Sequence, residues 1–464
     1  MQLERYVKWL APALCAACAL TGTAGAQILN QALPPLPIPE SYVPRYECVR
    51  NFYVDPNRGA AWTAYADGGG SPGEPWKSMQ DANDAQANGA PVLRAGDCVN
   101  LAPGLYTQTA TITLTRGGDA NATNGYVVYR ASTPRTAHLL AARKFYAMID
   151  VKTAYVIIDG LEIDGNNATN DGEGLAVSGD ARHHHVVIEN SIIHGNGGGG
   201  VQMNDSEYFW VVRNLIYRNA ATNTYQESGV SIYQPQAAAD FTATPADAAL
   251  AFHIVIAGNV SRDNIERIPC GEHPGCHTDG NGIIIDKTLN VDREGGAPYA
   301  GRTLVVANAA FGNGGAGVHV FLSEHVTLAN NTAFNNHLDL QNSGAWRGEL
   351  SNVDSNDILW VNNIGWAQPG QDGVTQNNSA VLVANTPGHA TQNVTWTNNM
   401  TYGGDVRVFA PGWRFDSRAN QVNRMPGLAD AFHGDLRPTQ NSRVRAAGAA
   451  QPYLTNAAPN IGAY

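Results

Sequence analysis

Between about residue 150 and residue 404, short apolar runs return at a near-regular spacing, and many close in the same way. One unit is a β-prone run ending on asparagine or serine: Val186-Val187-Ile188-Glu189-Asn190-Ser191, Trp210-Val211-Val212-Arg213-Asn214, Val255-Ile256-Ala257-Gly258-Asn259 and Leu304-Val305-Val306-Ala307-Asn308. It returns as Val326-Thr327-Leu328-Ala329-Asn330-Asn331, Leu359-Trp360-Val361-Asn362-Asn363 and Thr395-Trp396-Thr397-Asn398-Asn399. A second unit alternates with it, a glycine followed by apolar alternation: Gly174-Leu175-Ala176-Val177, Gly200-Val201-Gln202-Met203, Gly229-Val230-Ser231-Ile232, Gly282-Ile283-Ile284-Ile285 and Gly317-Val318-His319-Val320. Ser191 and Asn214 are 23 residues apart, as are Asn308 and Asn331, and the longer intervals mark inserted loops. Such self-similarity is the signature of a solenoid, in which each repeat buries its apolar face only against its neighbours.

The pattern predicts an all-β chain wound into a right-handed parallel β-helix, its coils stacked at about 4.8 Å. Leu175, Val201, Val230, Ile283 and Val318 form one inward column, and Val177, Met203, Ile232, Ile285 and Val320 another. Asn214, Asn259, Asn308, Asn331, Asn363 and Asn399, with Ser191 below them, form an internal amide ladder at a turn, a structural role. Ahead of the repeat, Pro75-Trp76-Lys77-Ser78-Met79-Gln80-Asp81-Ala82 reads as a short helix capping the first coils. Residues 27–50 form a Pro-rich extended tether. Residues 51–464 form one β-helix domain: cap and first coils over 51–150, regular coils over 151–404, and a last coil with its tail over 405–464.

Composition narrows the classes. Forty-nine glycines and 24 prolines in 464 residues, with only 15% charged, exclude a helical bundle, and 43% apolar content excludes a disordered chain. A net charge of −11 with no basic stripe argues against nucleic-acid binding. Residues 1–26 read as a secretory signal: Arg5 and Lys8, an apolar run, then Ala24-Gly25-Ala26. The expected product is a secreted or periplasmic monomer without a transmembrane segment. In that compartment four cysteines favour disulfides: Cys270 with Cys276 across a short loop, leaving Cys48 for Cys98. Zinc held by Cys270 and Cys276 with His273 and His277 is the alternative, at a spacing that matches no common zinc pattern.

Two end motifs carry a resemblance. Tyr53-Val54-Asp55-Pro56-Asn57, then the Pro75 to Ala82 segment and Ala95-Gly96-Asp97, resembles the entry of many bacterial members of the pectate-lyase-like superfamily of secreted right-handed β-helix proteins. The ending Ala458-Pro459-Asn460-Ile461-Gly462-Ala463-Tyr464 resembles their last coil. The resemblance runs from about residue 50 onward and implies the fold. Lyases, hydrolases, epimerases and non-catalytic proteins share that solenoid, so activity has to be argued from a site.

The longest insertions, residues 234–251, 265–279, 287–302 and 336–352, flank the coils of Gly229, Gly282 and Gly317, which points to one outward face. There lies the densest polar run, His277-Thr278-Asp279-Gly280-Asn281-Gly282-Ile283-Ile284-Ile285-Asp286-Lys287. Aligned coils put Tyr233, Asp286 and Phe321 in one outward column and Ser231, Ile284 and His319 in another. Clustered carboxylates repel unless neutralised, and calcium prefers carboxylate and carbonyl oxygens. Glu227 and Asp279, with Asp286, are therefore the expected Ca²⁺ ligands. A lyase acting on a uronate polymer removes the proton on carbon 5. Lys287 and His319 are the nearest bases, with Arg302 and His277 next. Asn281, Tyr233 and Trp346 are the expected sugar contacts, Trp346 being the best platform among Trp210, Trp346, Trp360, Trp366 and Trp396. His183-His184-His185 reads as a solvated turn.

Calcium-dependent pectate lyases of this type bring paired aspartates on the coil after an Asp-Gly turn; here that coil reads Asn313-Gly314-Gly315-Ala316-Gly317-Val318-His319, without an acid. Polygalacturonase-like hydrolases share Thr278-Asp279-Gly280, but their Asp pair and Gly-His-Gly are not in register. The expectation is a polysaccharide lyase acting on an acidic glycan with Ca²⁺; a glycoside hydrolase or a non-catalytic glycan-binding solenoid on the same face are the alternatives.

Overall fold

Strands too short to be stable singly become a continuous core once each lies on its equivalent in the next coil. In the computed structural model, three parallel sheets of 11, 10 and 10 strands line one apolar core. The described residues are 32–464 except 121–123, 179–182, 240, 272–275, 294, 343–347, 369–377 and 412. Sheet 1 runs from Arg50–Val54 to Gln392–Thr397, sheet 2 from Gly104–Gln108 to Met400–Tyr402, and sheet 3 from Ile112–Leu114 to Asp405–Val408. Both expected inward columns are paired rung by rung in sheet 3 and fully buried. This chain is a parallel β-helix. Its coils start at Arg50, well before the point where the repeat becomes obvious in sequence, because early strands such as Val127–Ala131 lack the asparagine ending. Among the described residues no helix is long and apolar enough to cross a membrane.

The asparagine column is real and directional. Backbone and side-chain N–H of Asn214 both donate to Asn259 Oδ1, at 2.9 and 3.1 Å, and the same pair of bonds repeats through Asn308, Asn331, Asn363 and Asn399 to Asn420. The second side-chain hydrogen reaches a carbonyl of the coil below, as Asn259 does to Val211 at 2.8 Å. Each rung from Ser191 to Asn399 follows a residue in the left-handed region: Asn190, Arg213, Gly258, Ala307, Asn330, Asn362 and Asn398. Asparagine and glycine tolerate that conformation best, which accounts for the Asn-Asn pairs.

A second ladder was not read from the sequence. Asn196, Asn219, Asn264, Asn313 and Asn336 climb the corner between sheets 2 and 3 with the same two bonds per rung. It explains the glycine that opens each sheet 3 strand: a Cβ on Gly229 or Gly317 would come within 2.6 Å of the Asn264 or Asn336 side-chain nitrogen. In the next coil the glycine position is Glu349, and there the ladder stops. Its carboxylate accepts Asn336 N at 2.9 Å, Asn336 Nδ2 at 2.5 Å and Asn378 Nδ2 at 2.6 Å. Burial pushes this carboxyl up to about 7 against those three donors.

The ends are covered. Helix Met79–Asp84, capped by Ser78, lies at the free edge of sheet 3, where Gln80 and Asn83 accept Thr113 N and Thr115 N at 2.7 and 2.8 Å. The Pro-rich lead is extended but is not a free tether. Ile38 is buried, Trp210 Nε1 donates to Tyr42 O, and Leu36 presses onto Gly258, whose φ of +64° and lack of a Cβ permit that approach. The tail returns along the corner asparagines, with Asn362 and Asn398 Nδ2 donating to Ala449 O and Ala447 O. Cys48–Cys98 and Cys270–Cys276 are disulfides, which sets aside zinc at Cys270 and Cys276; His273 lies outside the described residues, as do the signal segment and Trp346. His183 and His185 are buried, not solvated; Phe241 packs edge-on against His185, and Asp247 pairs with it at 3.0 Å. Trp210, Trp360, Trp366 and Trp396 are likewise buried and offer no sugar platform.

The second ladder ends on an acceptor-only group, the Glu349 carboxylate, which receives Asn336 N and Asn336 Nδ2. Glu349→Gln keeps the shape but turns one amide hydrogen pair toward an existing donor, so it should destabilise the fold by about 1–3 kcal/mol although it removes a buried charge. Denaturant unfolding at pH 8 reads this; a stabilised variant would contradict the directional account.

Candidate functional site

On the outward face of sheet 3, the alternation that sends Val230, Ile283 and Val318 inward sends their neighbours out. Ser231, Ile284 and His319 form one outward column, and Tyr233, Asp286 and Phe321 another, as the repeat alignment expects. These columns floor a groove of about 620 Å³. Its walls come from two of the four insertions: Cys270, Cys276 and Thr278 on one side, His337 and Asn342 on the other. The insertion at 234–251 covers sheet 1 instead, over His185 and Trp210, and of 287–302 only Lys287 lines the groove.

Seven expected residues meet in this groove: Glu227, Tyr233, Asp279, Asn281, Asp286, Lys287 and His319. Asn281 is the positioning hub. Its Nδ2 donates to Asp279 Oδ1 at 2.9 Å and to Ser228 Oγ at 3.1 Å, while its Oδ1 accepts Ala316 N at 2.7 Å. Asp279 sits in the left-handed region, at φ 54°, and its carbonyl accepts Asn342 Nδ2. Lys287 pairs with Asp292 at 2.7 Å, with Nζ 5.6 Å from the Tyr233 ring centre. Although burial opposes it, the bond to Asp292 and the charge of Asp286 hold this ammonium above its ordinary value. Lys287 therefore stays charged and is not the base expected of it. Burial pushes His319 down to about 4, leaving a neutral imidazole.

Two other expected bases lie elsewhere. Arg302 directly precedes the sheet 1 strand Thr303–Val306 and reaches Asp357 at 3.4 Å on a different face of the solenoid. His277 is buried behind the groove wall, 2.6 Å from Asp339.

The groove holds acids that sequence reading missed. Glu173 lines it, and Glu266 lies behind Glu227, accepting Glu227 N at 2.9 Å. Glu227 Oε2 accepts Gly199 N, and Oε1 accepts Asn223 Nδ2 at 3.3 Å. Burial first, then the Glu173 charge, push Glu227 well up; burial pushes Glu173 up and Glu266 up to about 9. Asp286 is also pushed well up by burial and by Asp279. Oxygens of Glu173, Glu266 and Asp286 are buried without a hydrogen-bond partner. Glu173 was legible in principle, since it directly precedes Gly174 as Ser228 precedes Gly229 and Asn281 precedes Gly282. Glu266 sits in an insertion outside every column.

Among the described residues no three His, Cys, Asp or Glu side chains converge to hold a metal ion. Glu227 is engaged instead by Gly199 N and Asn223 Nδ2. The expected three-acid calcium set is therefore not preformed. Asp279 and Asp286 remain as two carboxyls that feel each other's charge.

The chain matches no protein-family model and no curated protein. Among solved structures it is similar to pectate lyase Pel9A, 19% identical over 90% of this chain and 97% of that one, with a TM-score of 0.43. It is similar to an Azotobacter vinelandii mannuronan C-5 epimerase module, 12% identical over 71% and 87% with a TM-score of 0.39. A mannuronic acid specific polysaccharide lyase from human gut microbiota is 13% identical over 82% and 92%, with a TM-score of 0.36. These proteins have the solenoid in common, and their names state more than one reaction.

Carboxyls held above their ordinary range keep their protons in the fold and release them on unfolding. Their contribution to stability is full at low pH and lost as pH climbs from the usual carboxylate range through values such as the 9 of Glu266. In chelator-containing buffer the melting temperature should fall from pH 5 to pH 9. Glu227→Gln should raise it by about 2 °C or more at pH 8 and little at pH 5. A variant that melts with the wild type at both pH values would contradict the account of Glu227 as a carboxyl pushed up by burial.

Proposed function

We propose that the sheet 3 groove cleaves an acidic, uronate-bearing glycan by β-elimination. The supporting observation is the meeting, on one open face, of a retained cation, Lys287, with a neutral imidazole, His319, beside an excess of carboxyls. Lys287 receives the uronate carboxylate, which withdraws charge from carbon 5. His319 takes the proton from carbon 5; the bond from carbon 4 to the leaving sugar oxygen breaks, a double bond forms between carbons 4 and 5, and that oxygen gains a proton from solvent. An anionic substrate also makes His319 a stronger base by favouring its charged form. Asn281 and Tyr233 position the sugar. Calcium belongs to the proposal as an ion completed by the substrate's own carboxylates over Asp279 and Asp286, where it would add positive charge beside the uronate.

Hydrolysis is the second reading, favoured by one observation: two carboxyls, Asp286 and Asp279, share the groove, and burial with the Asp279 charge pushes Asp286 well up, as suits a proton donor.

The test is incubation of the mature protein with polyuronides and bacterial exopolysaccharides, with calcium or with chelator, following ultraviolet absorbance of unsaturated ends and reducing sugar together. Both signals should rise in parallel and fall with chelator. Reducing ends without absorbance would transfer the assignment to hydrolysis, and neither signal would leave a glycan-binding solenoid. His319→Ala should lower turnover by about 10²–10⁴-fold. Lys287→Ala should act mainly by raising KM, with little change in melting temperature. Wild-type rate should fall at acid pH as His319 takes a proton.

A further inference from the structure

A second groove, of about 540 Å³, opens on the outward face of sheet 2, between that sheet and the closing segment around Ala431–His433. Its chemistry is the opposite of the first. Among its lining side chains, three arginines, Arg218, Arg262 and Arg437, stand with two aspartates, Asp263 and Asp435, on a chain of net charge −11.

Each arginine is set in place. Arg262 occupies the outward column between Tyr217 and Phe311, its guanidinium 5.4 and 5.7 Å from their ring centres. One nitrogen pairs with Asp263, while Nε is buried without an acceptor. Arg437 pairs with Asp435 through two bonds of 2.7 and 2.6 Å. Among the described residues Arg218 has no carboxylate within ion-pair distance. Arg218 also holds a left-handed corner, at φ 55°, directly before ladder residue Asn219. The equivalent corners of other coils are Gly195, Asp263, Gly312 and Asn335, residue types that adopt that conformation more readily, so a long side chain there costs about 1 kcal/mol or more. Above the arginines stands Phe432, 59% exposed yet mounted edge-on against Phe334 at 5.2 Å and Trp366 at 6.2 Å.

A fixed aromatic face beside guanidinium forks suits a ring with one apolar face and a planar carboxylate at its edge. We propose that this groove is a second, non-catalytic binding site for the carboxylated sugars of an acidic glycan, centred on Arg218, Arg262 and Phe432. It lies on a different sheet from the first groove and does not depend on whether that groove is catalytic. A phosphate ion would use the guanidiniums and leave the ring idle, whereas a uronate uses both.

The test is titration calorimetry of the full mature chain with a galacturonate hexamer, in chelator so that the acidic groove lacks a bridging cation. A neutral xylose hexamer and inorganic phosphate are the controls. The uronate hexamer should bind, and bind more weakly as salt rises. Arg218→Ala and Phe432→Ala, both surface changes checked by unaltered melting, should each weaken it at least tenfold, while Lys287→Ala removes only what the first groove binds and keeps the binding that depends on Arg218 and Phe432. No binding to the wild type, equal binding of the neutral hexamer, insensitivity to both variants, or loss of all binding in Lys287→Ala would each overturn the proposal. Phosphate binding as tightly as the hexamer, with Phe432→Ala silent, would overturn it in favour of a simple anion site.

Discussion

From Ser191 onward, successive coils of this solenoid pass corner hydrogens forward to an asparagine oxygen in the next, and two such ladders hold the stack in register. The constraint is steric as well as polar. The second ladder occupies the space a Cβ would need at the start of each sheet 3 strand, so those strands open on glycine. Buried amides of this kind stay favourable only while every donor finds an acceptor. Where the column fails, a buried carboxylate takes over at Glu349. Core columns of Val, Ile and Leu provide the bulk of apolar burial, while the ladders decide which residue sits on which.

That register places chemistry. Columns that alternate inward and outward carry Asp286 and His319 to one open face, and the disulfide-closed loop at Cys270 and Cys276 helps wall it. Burial and neighbouring charge then divide the ionisable groups: a lysine pushed up by Asp292 and Asp286, a histidine pushed down to about 4 by burial, and carboxyls pushed well above their ordinary range. Sheet 2 uses the same rungs to stack rings and arginines. The two faces thus differ in sign, an acidic groove on one and a cationic, aromatic groove on the other, and an acidic polymer would meet them differently.

How far this was legible depended on whether a signal repeats. The columns Leu175 to Val318 and Tyr233 to Phe321 could be aligned from sequence because insertions fall between strands and leave their period intact. The first asparagine ladder was legible for the same reason. The second was hidden by its short spacing from the strand before it, although the recurrent glycines were its imprint. Arg302 and His277 were chosen by nearness in the chain. A residue just before a sheet 1 strand faces a different side from one just after a sheet 3 strand, and linear distance does not encode that turn.

The sequence by itself determined the architecture: parallel coils, their register, the inward columns, the amide ladder and the two disulfide pairs, all properties of local pattern repeated many times. Only the tertiary structure decided which insertions wall the groove, that the Pro-rich lead docks against the coils, and that Glu173 and Glu266 join Glu227 in one buried acid cluster. Protonation state followed the same division, because the charge of Lys287, His319 or Asp286 depends on burial and on neighbours supplied by other coils. Repetition fixes what lies above and below a residue; the loops that cover it and the charges beside it come from elsewhere in the chain.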